Sequence, residues 1–291
     1  MMQDKRFFRI KIFNENLELF EQGRYETPSG EVVLLPRPVS EFYSEPFQLE
    51  EIPPLDKSDI RVVNDDCIEV ARNLVKRGLK AALLNMASLR HPGGGAHNGA
   101  GAQEEQLCRR STLILSLYRY SQEMVSRFPQ LKIVPDGQQY PMHHRWGGIF
   151  SEDILFFRES EQKDYALSDA PFKADVISVA AINHPDLDAQ GRICVEDALL
   201  TKDKMRTILR IAMEHGDEAL VLGAMGCGAF ANPPREIARL FHEVLTEKEF
   251  DRQFKEIVFA ILEDRNSLRN TREGNFIPFK EEFENESGRD Q

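Results

Sequence analysis

From Arg61 onward, short apolar runs alternate with segments whose apolar residues recur every three or four positions. Arg61-Val62-Val63 reads as a strand, and Ile68, Ala71 and Val75 mark the face of a helix behind it. Lys80 to Met86 is the next strand, and Leu107, Ile114, Leu117 and Tyr118 form one helical stripe. Ile154 to Phe157 and Val176 to Ala181 have the composition of buried strands. Met205, Ile208, Leu209 and Ala212 then mark a helix, Ala219 to Leu222 a strand, and Ile237, Leu240, Phe241, Val244 and Leu245 a further helix. Ile257 to Leu262 is the last strand. These periods, near 2 or continuous for strands and near 3.6 for helices, predict an α/β fold. Its sheet should be largely parallel, covered by helices, with ligand sites at the carboxyl ends of the strands.

The flanks read differently. In residues 1–58, Gly30 and the prolines at 36, 38, 46, 53 and 54 break the chain into short pieces. One hairpin strand is expected at Glu31 to Leu35. The expected organisation is a small N-terminal accessory region over 1–58 with no chemistry of its own, a main α/β domain over 59–264, and a partly disordered C-terminal extension over 265–291. The last twelve residues, KEEFENESGRDQ, read as a solvated tail. No internal repeat is visible.

Composition narrows the function classes. A chain of 291 residues suits one large domain, or a core with an appendage. Its 41% hydrophobic and 29% charged residues are those of a soluble globular protein. No apolar run approaches the roughly 20 residues needed to span a bilayer, and MMQDKRFFRIKIF lacks the apolar core of a signal peptide. A cytoplasmic protein without membrane partners is expected. Cys67, Cys108, Cys194 and Cys227 are far apart, so they read as buried reduced thiols. The net charge of −11 argues against sequence-specific nucleic-acid binding, which neutralises many phosphates with Lys and Arg. An anionic ligand would have to be held locally, by backbone amides and helix ends.

Two glycine-bearing links offer that. The first follows the Lys80 to Met86 strand: Gly93, Gly94 and Gly95, then Gly99 and Gly101, then Gln103, Glu104 and Glu105 at a helix start. The second, Gly223-Ala224-Met225-Gly226-Cys227-Gly228-Ala229-Phe230, precedes Asn232-Pro233-Pro234, where Asn232 is a candidate N-cap and proline fits the first helical turn. Glycine lets a backbone approach a ligand closely, and a helix N-terminus attracts anions. Two such loops at one sheet edge could close on a diphosphate. Neither matches a P-loop or a dinucleotide-binding fingerprint. The two adjacent glutamates point in different directions on a helix, which suggests a division of labour.

Three glycines followed at this distance by Gln-Glu-Glu resemble the signature of the microbial-type poly(ADP-ribose) glycohydrolases. Gly23-Arg24-Tyr25, Ser29 to Val33 and Gly147 to Ser151 add to the resemblance. It implies a three-layer macrodomain-like fold with a mixed sheet between helices, and hydrolysis of the ribose–ribose O-glycosidic bond of poly(ADP-ribose), releasing ADP-ribose. ADP-ribosylated proteins would be its partners, and no cofactor or metal is implied. Glu105 matches the catalytic acid and Glu104 the neighbour that fixes the ribose. The first loop, with Gly93, Gly94, Gly95, Asn98 and Gln103, would contact the riboses. The second, with Gly223, Gly226, Cys227, Gly228 and Ala229, would wrap the diphosphate, and Phe230, read from the residues alone as a core side chain, would face the distal nucleoside. Hydrolysis of single ADP-ribose units from acceptors and non-catalytic binding are the rival readings.

Weaker candidates surround these loops. Asp66, by residue type a turn or cap residue, matches the acid that reads adenine. Asn85 matches a family asparagine beside the ribose, and Asn183 is either a strand-end turn residue or a ligand contact. Gln103 reads as a buttress, because an amide does not exchange protons near neutrality. The seven histidines show no helical His-x-x-x-His pair, so no catalytic metal is expected. Ala96, His97 and Met225 stand where the family more often has bulkier apolar or aromatic residues, which bears on loop rigidity.

Overall fold

A computed structural model describes residues 2–263 and 273–284. In chain order its elements are α1 (Met2–Gln22), β1 (Arg24–Glu26), β2 (Val32–Leu34), β3 (Ser40–Tyr43), β4 (Asp59–Val63), α2 (Cys67–Lys76), β5 (Ala81–Met86), α3 (Gln103–Arg110), α4 (Leu113–Leu117), α5 (Gln122–Arg127), β6 (Gly148–Arg158), β7 (Leu167–Val179), α6 (Val195–Glu214), β8 (Ala219–Leu222), α7 (Pro234–Leu245), β9 (Glu256–Ala260) and α8 (Phe276–Glu284). Seven strands form one mixed sheet in the order β3-β6-β7-β5-β8-β9-β4. The run from β7 to β4 is parallel, while β6 lies antiparallel to β7 and to β3.

Why this sheet is covered on both faces follows from β5. Successive side chains of a strand point to opposite faces. Ala81 and Leu83 enter one core, with α1, α2, α3 and α4, and Ala82 and Leu84 enter the other, with α6, α7 and Phe279 of α8. All four are buried. A continuous apolar run is therefore what a central parallel strand requires. Because β5 and β8 are adjacent and parallel, with Ala81 opposite Ala219, the two glycine loops leave the same end of the sheet side by side.

Several elements differ from the sequence expectation. The N-terminal region is not a set of short pieces: α1 runs for 21 residues and buries Ile12, Phe13, Asn16, Leu17 and Phe20 along one face. A polar Asn16 in the stripe obscures the period, yet it is fully buried because it donates to Arg109 O (2.8 Å) and accepts from Arg158 Nε (2.6 Å). In the same region, β3 joins the main sheet as its edge strand, while β1 and β2 pair in the hairpin expected around Glu31 to Leu35. The stripe from Leu107 to Tyr118 is not one helix, because Ser111 is extended (φ −146°, ψ 178°) and bridges to Phe156.

Strands β6 and β7 extend well beyond the apolar runs that announced them, paired antiparallel through polar positions such as Ser151 and Lys173. The solvated-tail reading fails for residues 280–284, which lie in α8; Phe279 is buried, and Phe283 stacks on Phe259 at 4.6 Å between centroids. Residues 285–291, and most of the extension before α8, lie outside the described residues. No described helix is long and apolar enough to cross a membrane.

Candidate active site

The first glycine loop is shaped by side chains beneath it. Gly93, Gly94 and Gly99 have φ of 73°, 55° and 77°, a region that residues with a Cβ enter at a cost. At Gly94 the reason is also steric: a Cβ there would collide with the carboxylates of Glu105 and Glu104. The backbone passes directly over the two acids.

Those acids are held by loop amides. Glu105 Oε1 accepts from Gly95 N (2.9 Å) and its Oε2 from Ala102 N (2.8 Å), so one carboxylate ties together both ends of the loop. Glu104 Oε2 accepts from Ser88 N (2.8 Å), and its Oε1 from Gly93 N (3.2 Å) and Asn85 Nδ2 (3.4 Å). Both glutamates are buried. Burial is the main force that raises the Glu104 carboxyl to about 8; the Glu105 charge adds to it, and the Ser88 amide opposes it. Glu104 is therefore protonated at neutral pH, a neutral neighbour for Glu105.

Asn85 is fully buried at the end of β5, where its Nδ2 also donates to Ser178 Oγ of β7 (3.0 Å) while its Oδ1 has no partner among the described residues. Gln103 sits across the strand end: its Oε1 accepts from Met86 N (2.9 Å), and its Nε2 donates to Leu84 O (2.7 Å). This fixes the start of α3 to β5, which sets the direction in which the next two residues point. The Asn98 side chain is exposed, and its carbonyl accepts from Arg6 Nε of α1 (2.9 Å).

Residues that the sequence reading passed over hold the loop from behind. Arg109, fully buried, reaches back from α3 to Ala100 O (2.5 Å) and Ala96 O (3.4 Å). Helix α1 covers the outer side: Gly99 leaves no room for a Cβ against Arg6, Gly101 lies against the Arg9 guanidinium, and Arg9 pairs with Glu161 at 2.9 Å. His97 is wedged between the rings of Phe13 and Phe128, at 6.3 and 6.1 Å. The departures at Ala96 and His97 are thus packed rather than loose. A signal for Arg109 does exist in the sequence, since Arg109-Arg110 interrupts an apolar stretch, and buried arginines there need partners.

The second loop is organised by one side chain. Asn232 is buried, and its Nδ2 donates to Ile182 O (2.7 Å), Gly226 O (3.1 Å) and Phe230 O (3.2 Å). It does not cap α7, whose N-cap is Pro233 with no side-chain bond. The asparagine instead draws the loop into a closed turn over the end of β7. Gly226 (φ 75°) lies against it, where a Cβ would press on Asn232 and Ala181. Gly223 follows β8 directly, and Cys227 is buried, with its thiol pushed up by desolvation. Gly228 and Ala229 are exposed and Phe230 is half-buried, so the tip of the loop is open to a ligand.

The peripheral candidates divide. Asp66 caps α2 through Ile68 N (2.8 Å), and its other oxygen pairs with the buried Arg110 (2.5 Å). It stands at the end of β4, an edge strand of the sheet, and reaches the acids' own helix α3 through Arg110. Asn183 is exposed beyond β7, with its Oδ1 at 2.8 Å from His184 Nδ1. Among the described residues no group of His, Cys, Asp and Glu is set to hold a metal ion.

The profile of the microbial-type PARG catalytic domain, PARG being poly(ADP-ribose) glycohydrolase, matches residues 14–159, a span that contains the first loop, both glutamates and Arg109. The chain belongs to this family. Solved structures extend the likeness beyond the profile. A poly(ADP-ribose) glycohydrolase from Thermomonospora curvata, bound to the inhibitor ADP-HPD, is 28% identical over 96% of this chain and 100% of its own, with a TM-score of 0.74. One from Deinococcus radiodurans, in complex with ADP-ribose, is 29% identical over 79% of this chain and 85% of its own, with a TM-score of 0.62. No curated protein sequence matches. The mixed sheet between helices is the macrodomain-like architecture that the resemblance implied, and both glycine loops lie at one end of it.

Proposed function

We propose that the chain is a poly(ADP-ribose) glycohydrolase that cleaves the ribose–ribose O-glycosidic bond and releases ADP-ribose. The observation that carries this reading is the wrapping of a glycine loop around two adjacent buried glutamates, one of them held neutral. Glu105 donates its proton to the leaving ribose oxygen as the C1–O bond breaks, and the electron pair stays on that oxygen. The carboxylate then takes a proton from the water that attacks the oxocarbenium-like carbon. Glu104, protonated at neutral pH, both donates to and accepts from ribose hydroxyls and carries no charge of its own into the site. Asn85 steadies Glu104, and the exposed tip of the second loop, at Gly228 and Ala229, lies against the diphosphate.

Gly223 and Gly226 permit the turn that brings the second loop to the ligand, and the half-buried Phe230 ring faces the distal nucleoside. Asp66, already engaged by Ile68 and Arg110, accepts from the adenine amino group at the far end of the groove. The enzyme works on ADP-ribosylated proteins of the cytoplasm.

The test is release of ADP-ribose from purified polymer, run beside proteins carrying single ADP-ribose units. Rapid release from the polymer and slow release from the mono-modified proteins is the expected result. Faster turnover of the mono-modified proteins would make this an acceptor hydrolase, and binding of ADP-ribose without any release would make it a reader.

A further inference from the structure

One cluster at the same end of the sheet plays no part in that mechanism. Lys204 lies on α6 and is only 2% exposed, yet among the described residues its ammonium has neither a hydrogen bond nor an ion-pair partner. One turn earlier on the same helical face, Thr201 is 3% exposed and its Oγ1 is also without a partner. Burying a cation without a counter-ion is costly, and burial pulls the Lys204 ammonium down to about 8. A structural lysine ordinarily finds a carboxylate. This one waits beside a turn that carries more positive charge.

That turn is His143 to Gly147, closed by Gly147 N on His143 O (2.9 Å) and by His143 Nδ1, which accepts from Trp146 N (3.1 Å) and Arg145 N (3.3 Å). Arg145 is tied to α6 through Asp203 (3.4 Å) and lies over Trp146, and the Lys204 charge is felt at the His143 ring. The turn joins the catalytic loop directly: Met142 N donates to Leu89 O (2.9 Å), and Ser88, the residue before Leu89, donates to Glu104. Arg90, exposed and without an ion-pair partner among the described residues, follows Leu89 in the chain, and its backbone N donates to Ser88 Oγ (3.4 Å).

Strand order gives the cluster a direction. The second loop follows β8, the acids follow β5, and the turn enters β6, whose first residue Gly148 lies opposite Val179 at the end of β7. A chain held by its diphosphate above β8, with its reacting bond above β5, continues over β7 toward β6. We propose that Thr201 and Lys204, with Arg145 and Arg90 at the rim, form a second anion subsite for the pyrophosphate of the adjoining polymer unit on the leaving-group side. The assignment rests on the glycohydrolase reading above.

The experiment compares two substrates: long poly(ADP-ribose), and an aryl glycoside of ADP-ribose, which fills the first site but has no second pyrophosphate. In Lys204→Met, the ratio of kcat/KM on polymer to kcat/KM on the aryl glycoside is expected to fall about tenfold, the size of one lost charge-assisted contact. Arg90→Ser/Arg145→Ser, at exposed or half-exposed positions, is expected to lower the same ratio and decides the matter if Lys204→Met fails to fold. An unchanged ratio in a folded variant overturns the subsite and leaves the enzyme assignment standing. A wild-type protein that hydrolyses neither substrate overturns both.

Discussion

Replacing Glu104 with Gln should change how stability depends on pH in a way that isolates one buried proton. The folded carboxyl titrates near 8 against an ordinary 4.5, so between those values the native state holds a proton that the unfolded chain has released. Stability then falls as pH rises, since the native state binds the extra proton, and the full contribution is present only below 4.5. At 1.36 kcal/mol per pH unit, the loss is about 3 kcal/mol by pH 7 and about 4 kcal/mol by pH 8, and it levels off at about 5 kcal/mol above about pH 9. In Glu104→Gln this component is absent. The amide does place an N–H against one of the donors Ser88 N, Gly93 N or Asn85 Nδ2, but that penalty is the same at every pH and shifts the curve without tilting it. Urea unfolding of both proteins at pH 5, 6, 7 and 8 measures the tilt. Wild type should lose stability relative to the variant by about 3 kcal/mol between pH 5 and 7. Parallel curves would mean that Glu104 is already ionised in the folded protein, and the division of labour between the glutamates would fail.

Two further substitutions address the loop around these acids. Gly94→Ala adds a Cβ where the two carboxylates lie, at a φ of 55°. It should lower kcat for ADP-ribose release about 100-fold by displacing Glu105, with a smaller effect on ADP-ribose affinity measured by calorimetry. Arg109→Met removes the donors to Ala96 O and Ala100 O, and should cost about 3 kcal/mol in chemical unfolding, because two buried carbonyls lose their partners.

The catalytic half of the molecule was legible because its physics is local. A continuous apolar run such as Ala81 to Leu84 suits a strand buried on both faces, and Ile68, Ala71 and Val75 spell one face of α2. The glycine-rich link between β5 and α3 announced itself by composition. What escaped depends on contacts across the chain. Asn16 looks like a break in a helix until Arg109 and Arg158 supply its bonds, and Asn232 looks like a cap until Ile182 and Gly226 lie beside it. In α8, alternating charges hide two phenylalanines whose partner Phe259 is far away in sequence. The raised carboxyl of Glu104 is likewise a property of its burial under the loop, and residue type alone predicts an exposed acid at a helix start.

Glycosidic cleavage depends most on Glu105, and single-turnover release of ADP-ribose by Glu105→Gln tests that role directly. The amide keeps an acceptor for Gly95 N or Ala102 N but exchanges no proton, so the rate should fall at least about 1000-fold while calorimetry still finds ADP-ribose bound. Release at the wild-type rate from a variant that folds and binds would show that the proton comes from elsewhere.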